Sequence, residues 1–360
     1  MTDLLAIGTR KGLFLARSED GRRTWQVDGP HLLAQEVAAV GIDTRRDRPR
    51  VLAAVLYGHW GPTVMWSDDL GGSWQETESG AIRFPEDTGA ALGRVWQLRP
   101  DSADRPDVVW AGCEPHSLWR STDGGCSFSL VRALWDHPHR PTWQPGAGGG
   151  AVHTVLPDPA SDRVTVAMST GGVYVSEDAG GSWAPRNKGI TVPFLPEELP
   201  EYGQCVHKVA VDAGGPDRMY AQNHGGVFRT DDAGGSWTSI SGGLPVEFGF
   251  PVVASPTTPG TVWVVPLVAD VQRVPQDGRL RVHRTTDAGE TWTEVGAGLP
   301  DGAWTAVVRD AFCADAHDPT GLYLGTRDGC VYASADGGDS FGLVVDHLPD
   351  VLVVRAAELA

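Results

Sequence analysis

The chain has 360 residues and a formal net charge of −17 at pH 7, with 29 Lys and Arg against 46 Asp and Glu. Phosphate backbones are held by clustered basic side chains, so this balance excludes a nucleic-acid footprint, and the scatter of the acidic residues implies a solvated surface. With 46 Gly, 26 Pro and 14 Trp but only four Met, the composition describes many short strands joined by tight turns, an all-β class.

The opening stretch, MTDLLAIGTRKGLFLARSEDG, reads as two strands and a turn, with no apolar run ahead of a cleavage site. No segment nears the roughly 18 apolar residues of a membrane span. A cytoplasmic protein without membrane contact is therefore expected. The five cysteines, Cys113, Cys126, Cys205, Cys313 and Cys330, are odd in number and show no CxxC spacing, so a disulfide framework is not expected.

Along the chain one eight-residue pattern recurs, Ser/Thr-x-Asp-x-Gly-x-Ser/Thr-Trp/Phe, beginning at Ser18, Ser67, Ser121, Ser176, Thr230, Thr285 and Ser334. The intervals run from 49 to 55 residues. The first copy, SEDGRRTW, carries Arg22 where glycine is expected; STDGGCSF and SADGGDSF close on Phe rather than Trp. An Asp carboxylate accepts backbone N–H groups inside a hairpin turn, and Gly supplies the positive φ that a Cβ resists. The closing aromatic then packs between neighbouring sheets, which makes these aspartates structural rather than catalytic.

Between the boxes each repeat reads alike, as in AVHTVLPDP, RVTVAMST, GGVYVSED and SWAPRN. An inner strand, a second strand, a Gly-containing turn and a third strand lead to the box, and an outer strand follows, which is the make-up of a propeller blade. The N-terminus supplies LLAIGT, GLFLARS and TWQVDG but no inner strand, while the C-terminus supplies a lone VLVVRAA. Pairing the two closes the ring and removes exposed edges. The expectation is one all-β domain over residues 1–360, a seven-bladed β-propeller of four-stranded antiparallel blades, with a monomer permitted by the closed ring.

The boxes resemble those of the bacterial-neuraminidase-repeat (Asp-box) propellers, which include sialidases, xyloglucanases, sortilin-type receptors and photosystem II assembly factors. The resemblance covers essentially the whole chain. It implies the propeller fold and a small-molecule or carbohydrate ligand, and it leaves activity open, because the fold hosts enzymes and binders alike.

Blade topology places the Asp boxes at one end of the disc and the turns between second and third strands at the other. Those turns carry Arg10 and Lys11, His59 and Trp60, Cys113 and Glu114, Asn223 and His224, and Arg327 and Asp328. Aligning the inner strands on Asp101, Asp158, Asp212 and Asp318 brings Trp96, His153, His207 and Cys313 to one height. Two long entry loops, 134–150 and 193–205, add Trp, His, Arg and Glu.

A polar pocket at the top of the channel is therefore expected. Neutral imidazoles at His59, His153, His207 and His224 would suit Zn²⁺ or a similar divalent metal, which lowers the pKa of bound water to about 7. Without metal, His153 or His207 would serve as base with Glu114 as partner. Arg10, Arg140 and Arg327 would hold an anionic group, Trp60, Trp135 and Trp143 would stack on a ring, and Tyr202 and Asn223 would complete the contacts.

Three functions compete. The first is a hydrolase or lyase, metal-dependent or not, acting on a small polar substrate. The second is a glycosidase; the sialidase resemblance implies an arginine triad, a Tyr nucleophile with Glu, and an Asp acid/base. Tyr202 beside Glu198 and Glu201 imitates the Tyr/Glu pair, whereas GTRKG lacks the Arg-Ile-Pro signature. The third is a non-catalytic binding or assembly propeller.

Overall fold

A computed structural model describes residues 2–146, 149–191, 201–269 and 271–359. Seven four-stranded antiparallel sheets form a ring. The blade that closes it joins both termini: Val351–Leu359 pairs with Thr2–Thr9, which continues into Gly12–Ser18 and Gln26–His31. Thr2 lies opposite Leu359 and Ile7 opposite Val354, so the expected closure by the last strand is met.

Second strands are sandwiched between neighbouring blades. Arg50–Tyr57, RVLAAVLY, is accordingly a continuous buried run and does not alternate. Side chains from adjacent blades merge into shared cores, as where Leu52, Ala54 and Trp66 of one blade meet Leu98, Val109 and Trp119 of the next. Outer strands are as short as two residues, such as Gln75–Glu76 and Thr238–Ser239. No helix is long and apolar enough to cross a membrane among the described residues, and all five cysteines are free.

Each Asp-centred turn is held the same way. Asp69 Oδ1 accepts the Ser73 N–H at 2.8 Å, Oδ2 accepts the Ser73 hydroxyl at 2.7 Å, and the Ser67 hydroxyl accepts the Gly71 N–H at 2.8 Å. Two consecutive residues are left-handed, here Leu70 and Gly71 at φ 53° and 93°. In the first turn the second of these positions is Arg22, at φ 67°. Its guanidinium donates to Asp315 Oδ2 and Pro319 O, each at 3.1 Å, tying the first blade to the last. The closing indoles reach the preceding blade, Trp237 Nε1 donating to Arg186 O at 2.8 Å and Trp292 Nε1 to Ile240 O at 2.7 Å.

One register expectation is corrected. Asp212 accepts the Tyr220 hydroxyl and Asp101 the Trp110 indole N–H, both at 2.7 Å. In the last blade the same bond, Tyr323 hydroxyl to carboxylate at 2.7 Å, goes to Asp315 and not to Asp318. The longer turn 315–321 places this blade's inner strand three residues earlier than alignment on Asp318 implies. Five positions before Asp315 stands Asp310, so Asp310 rather than Cys313 shares the height of Trp96, His153 and His207.

Candidate functional site

The inner strands surround a channel that is blocked at its waist. Asp310 accepts from Lys208 at 2.8 Å and from the Arg355 guanidinium, all three side chains being largely buried. Burial works against the Asp310 charge, but the Lys208 and Arg355 cations win and hold the carboxyl below the usual range. Below the waist is a cavity of ≈ 470 Å³ walled by Arg99, Lys208 and the turns at Asp158 and Asp212; above it is one of ≈ 1270 Å³. The upper cavity is lined by Arg10, His224 and Arg327 from the turns between second and third strands, and by Cys205, Trp304 and Asp350 from connections between blades. It lies at the face away from the Asp-centred turns, the side on which the sequence places it.

Guanidinium groups dominate this mouth. Arg94 and Arg10 share Glu36 at 2.7 and 2.9 Å, and Arg10 and Arg327 share Asp350 at 2.9 and 2.7 Å. Three arginines thus alternate with two carboxylates. Burial works against the Asp350 charge, yet Arg327 and Arg10 keep that carboxyl below its ordinary range.

Arg309 is placed differently. Its guanidinium lies over the rings of Trp96 and Phe250, 5.5 and 5.7 Å from their centroids, and its Nε has no hydrogen-bond partner. Among the described residues no carboxylate comes within ion-pair distance of it. Burial pulls its pKa down, with the neighbouring charges of Cys205 and Asp310 opposing. Arg273 approaches the same Phe250 ring at 5.6 Å, and Trp304 stands 70 % exposed at the rim.

Beside Arg309 are Cys205, His207 and His224; the Cys205 Sγ and one ring nitrogen from each histidine lie within 4.8 Å of one another. The two imidazoles meet edge to face with centroids 4.5 Å apart, against Phe248 and Phe250. His207 Nδ1 lies 2.6 Å from Gly249 O. A carbonyl only accepts, so Nδ1 carries the proton and Nε2 the lone pair. Burial and the Arg309 charge keep the His207 imidazole neutral, well below its ordinary pKa. Burial pushes the Cys205 thiol up, against the pull of Arg309.

Of the four expected metal ligands, only His207 and His224 come together. His59 is exposed on its turn and does not line the cavity. His153 is 0 % exposed, contacts Thr154 Oγ1 at 3.2 Å and leaves Nε2 unpartnered; it too lies outside the lining. Glu114 accepts the Trp96 indole N–H at 3.1 Å, which positions that ring and not a ligand. Of the expected catalytic set, His207 alone borders the cavity.

Arg10 and Arg327 do line the mouth. Trp60 is 88 % exposed and apart from it. Trp135 and Trp143 are buried, with the Arg140 guanidinium 3.3 Å over Trp135, Trp143 Nε1 donating to the Tyr174 hydroxyl at 3.1 Å, and Tyr202 stacked on His139 at 3.8 Å. These groups fasten the segment after Val131 onto the fourth blade. Asn223 is buried and closes its own turn, accepting the Gly225 N–H at 2.7 Å and donating to Thr191 O at 3.1 Å. Glu198 lies outside the described residues.

Arg94, Arg309, Asp310, Asp350, Trp304 and Cys205 were not singled out by sequence. Counting the last blade from Tyr323 would have found Arg309 and Asp310. The alternation of Cys205 with His207 was equally legible.

No family model matches the chain. A xyloglucanase of Hypocrea jecorina (strain QM6a) is 26 % identical over 303 residues, 72 % of this chain and 33 % of that protein. A xyloglucanase of Paenibacillus sp is 25 % identical over 249 residues, 64 % of this chain and 23 % of that protein. The chain therefore spans a third or less of these relatives. Among solved structures, a GH74 enzyme of Niastella koreensis matches with a TM-score of 0.65 at 16 % identity, over 94 % of this chain and 52 % of that one. YCF48 from Cyanidioschyzon merolae matches at 0.54 and 14 % identity, over 89 % and 88 % of the two chains. At these identities the structural likenesses show the propeller fold alone.

Proposed function

We propose that the upper cavity binds an acidic saccharide and that the protein hydrolyses a glycosidic bond there. The observation that carries this reading is Arg309, a guanidinium that no carboxylate among the described residues pairs with, in a cavity bordered by four further arginines, in a molecule of net charge −17. A largely acidic surface repels anions, so a cationic recess focuses them at one point. A carboxylate or sulfate placed against Arg309 would pair with a guanidinium that the described residues leave without a carboxylate. Trp304, exposed at the rim, offers a flat apolar face for a sugar ring. Hydrolysis is suggested by the two xyloglucanase relatives.

Glycoside hydrolysis needs two carboxyl groups. In this reading Asp350, held ionised, stabilises positive charge or activates water, and Asp328, exposed on the neighbouring turn, is the second carboxyl of the pair. The test is release of reducing ends from uronate-bearing oligosaccharides and from neutral xyloglucan fragments, with Asp328→Asn and Asp350→Asn alongside. Faster turnover of the acidic substrates, lost in both variants, is expected; indifference to substrate charge would refute the reading. Glu36 and Asp350 are both spent on arginine pairs, which favours a second reading, capture of an acidic chain without cleavage. Saturable binding with no released ends would establish that reading instead.

A further inference from the structure

We propose that Cys205, His207 and His224 form a binding site for a divalent transition-metal ion, zinc(II) or one of similar softness, open to the upper cavity. This goes beyond the saccharide reading and does not depend on it. One blade supplies all three ligands. Cys205 immediately precedes the inner strand Val206–Asp212, and His207 is the extra residue of a bulge at its start; this local geometry brings both side chains into the cluster with His224. His224 follows Gly215–Asn223, the adjacent strand, in whose register Val206 faces Asn223. A hairpin within one sheet holds such a set more firmly than loops from separate blades would.

The distances fit. Zinc bonds of about 2.0–2.1 Å to nitrogen and about 2.3 Å to sulfur give ligand-to-ligand edges of about 3.3–3.7 Å in a tetrahedron. The three atoms already lie within 4.8 Å of one another, so rotation of half-buried Cys205 and His224 by about an ångström closes the set. The bond from His207 Nδ1 to Gly249 O fixes the ring and leaves the Nε2 lone pair free to ligate, the role an outer carbonyl plays for a metal-ligating imidazole. Sulfur and imidazole nitrogen exclude magnesium and calcium, which require oxygen. Three protein ligands leave the fourth corner to water or to a ligand's oxygen. Arg309 opposes a dication here, the Cys205 thiolate offsets it, and an anionic fourth ligand is favoured.

The test uses the full chain, reduced and stripped with chelator, titrated with cobalt(II) and then zinc(II). Expected are one equivalent bound, a thiolate-to-cobalt charge-transfer band, the intense visible bands of four-coordinate cobalt, and their loss on adding zinc. Cys205→Ser, nearly isosteric and checked for an unchanged melting curve, should lose the charge-transfer band and weaken binding at least about tenfold; His59→Ala should change neither. Zinc should also protect Cys205, and not Cys126, from alkylation resolved by peptide. Absence of saturable binding in the unmodified protein, an unchanged cobalt spectrum in Cys205→Ser, or alkylation of Cys205 at equal rate with and without zinc would each overturn the site.

Discussion

The Lys208 ammonium lies 2.8 Å from the Asp310 carboxylate in the middle of the channel, so a buried ion pair, extended by Arg355, separates the two cavities. Removing one member of such a pair strands the others without water. Asp310→Asn should therefore cost about 3–5 kcal/mol in urea unfolding. Joining it with Lys208→Met should recover part of that cost, because the stranded ammonium is gone. A loss under 1 kcal/mol in the single variant would mean that the waist is hydrated.

The Asp-centred turns carry their own pH dependence. Hydrogen bonds from Ser73 and Ser67 hold Asp69 at about 2, and bonds from Thr291 and Thr285 hold Asp287 at about 2; Asp178 and Asp232 are lowered for the same reason. A carboxyl depressed on folding stabilises the native state above its unfolded pKa of about 4, and that stability is lost as pH falls through the folded value. The melting temperature should be level near neutrality and fall between pH 4 and 2. Asp287→Asn should lower the plateau by a few degrees and shrink the acid fall; an unshifted acid limb would contradict the assignment.

Arg22 sets two local effects against each other. Its φ of 67° costs about 1 kcal/mol that glycine would relieve, but its guanidinium pairs with Asp315 where both side chains are at most 10 % exposed. Losing a buried partner costs about 3–5 kcal/mol in general. Asp315 keeps its bonds from Tyr323 and Gly321, which softens the loss. Arg22→Gly should therefore still melt below the parent protein, although it restores the repeat's glycine. A higher melting temperature would show that backbone strain outweighs the inter-blade tie.

How much was legible beforehand follows from what each signal encodes. The turns at Ser67, Ser176 and Thr230 declare themselves because their chemistry is local, and from their spacing the blades, the ring closure and the face of the site all follow. The channel lining is not local. His153 and His207 are equivalent by count, yet one is fully buried outside the cavity lining and the other borders the cavity, since neighbouring blades and incoming loops decide access. Trp135, Trp143 and Arg140 read as ligand contacts because indole and guanidinium suit both sugars and packing; only burial separates the two uses. Arg309 is hidden because the longer turn 315–321 shifts the last blade's inner strand by three residues relative to its neighbours.

Arg309 offers a test in which stability and binding move in opposite directions. A half-buried guanidinium held over two aromatic rings, with no carboxylate among the described residues paired to it, is partly desolvated at a cost that the rings only partly offset. Arg309→Met preserves length and packs between Trp96 and Phe250, so it should leave the melting temperature unchanged or raise it by a few degrees. The same change removes the charge an acidic ligand would seek, so affinity for a uronate-bearing oligosaccharide should fall at least about tenfold while any neutral-sugar contact at Trp304 persists. Binding of the acidic ligand to the parent protein should also weaken with salt, and that dependence should diminish in the variant. If the variant is destabilised and binds acidic sugars as before, Arg309 is a packing residue and the anion must be sought at Arg273 or Arg10.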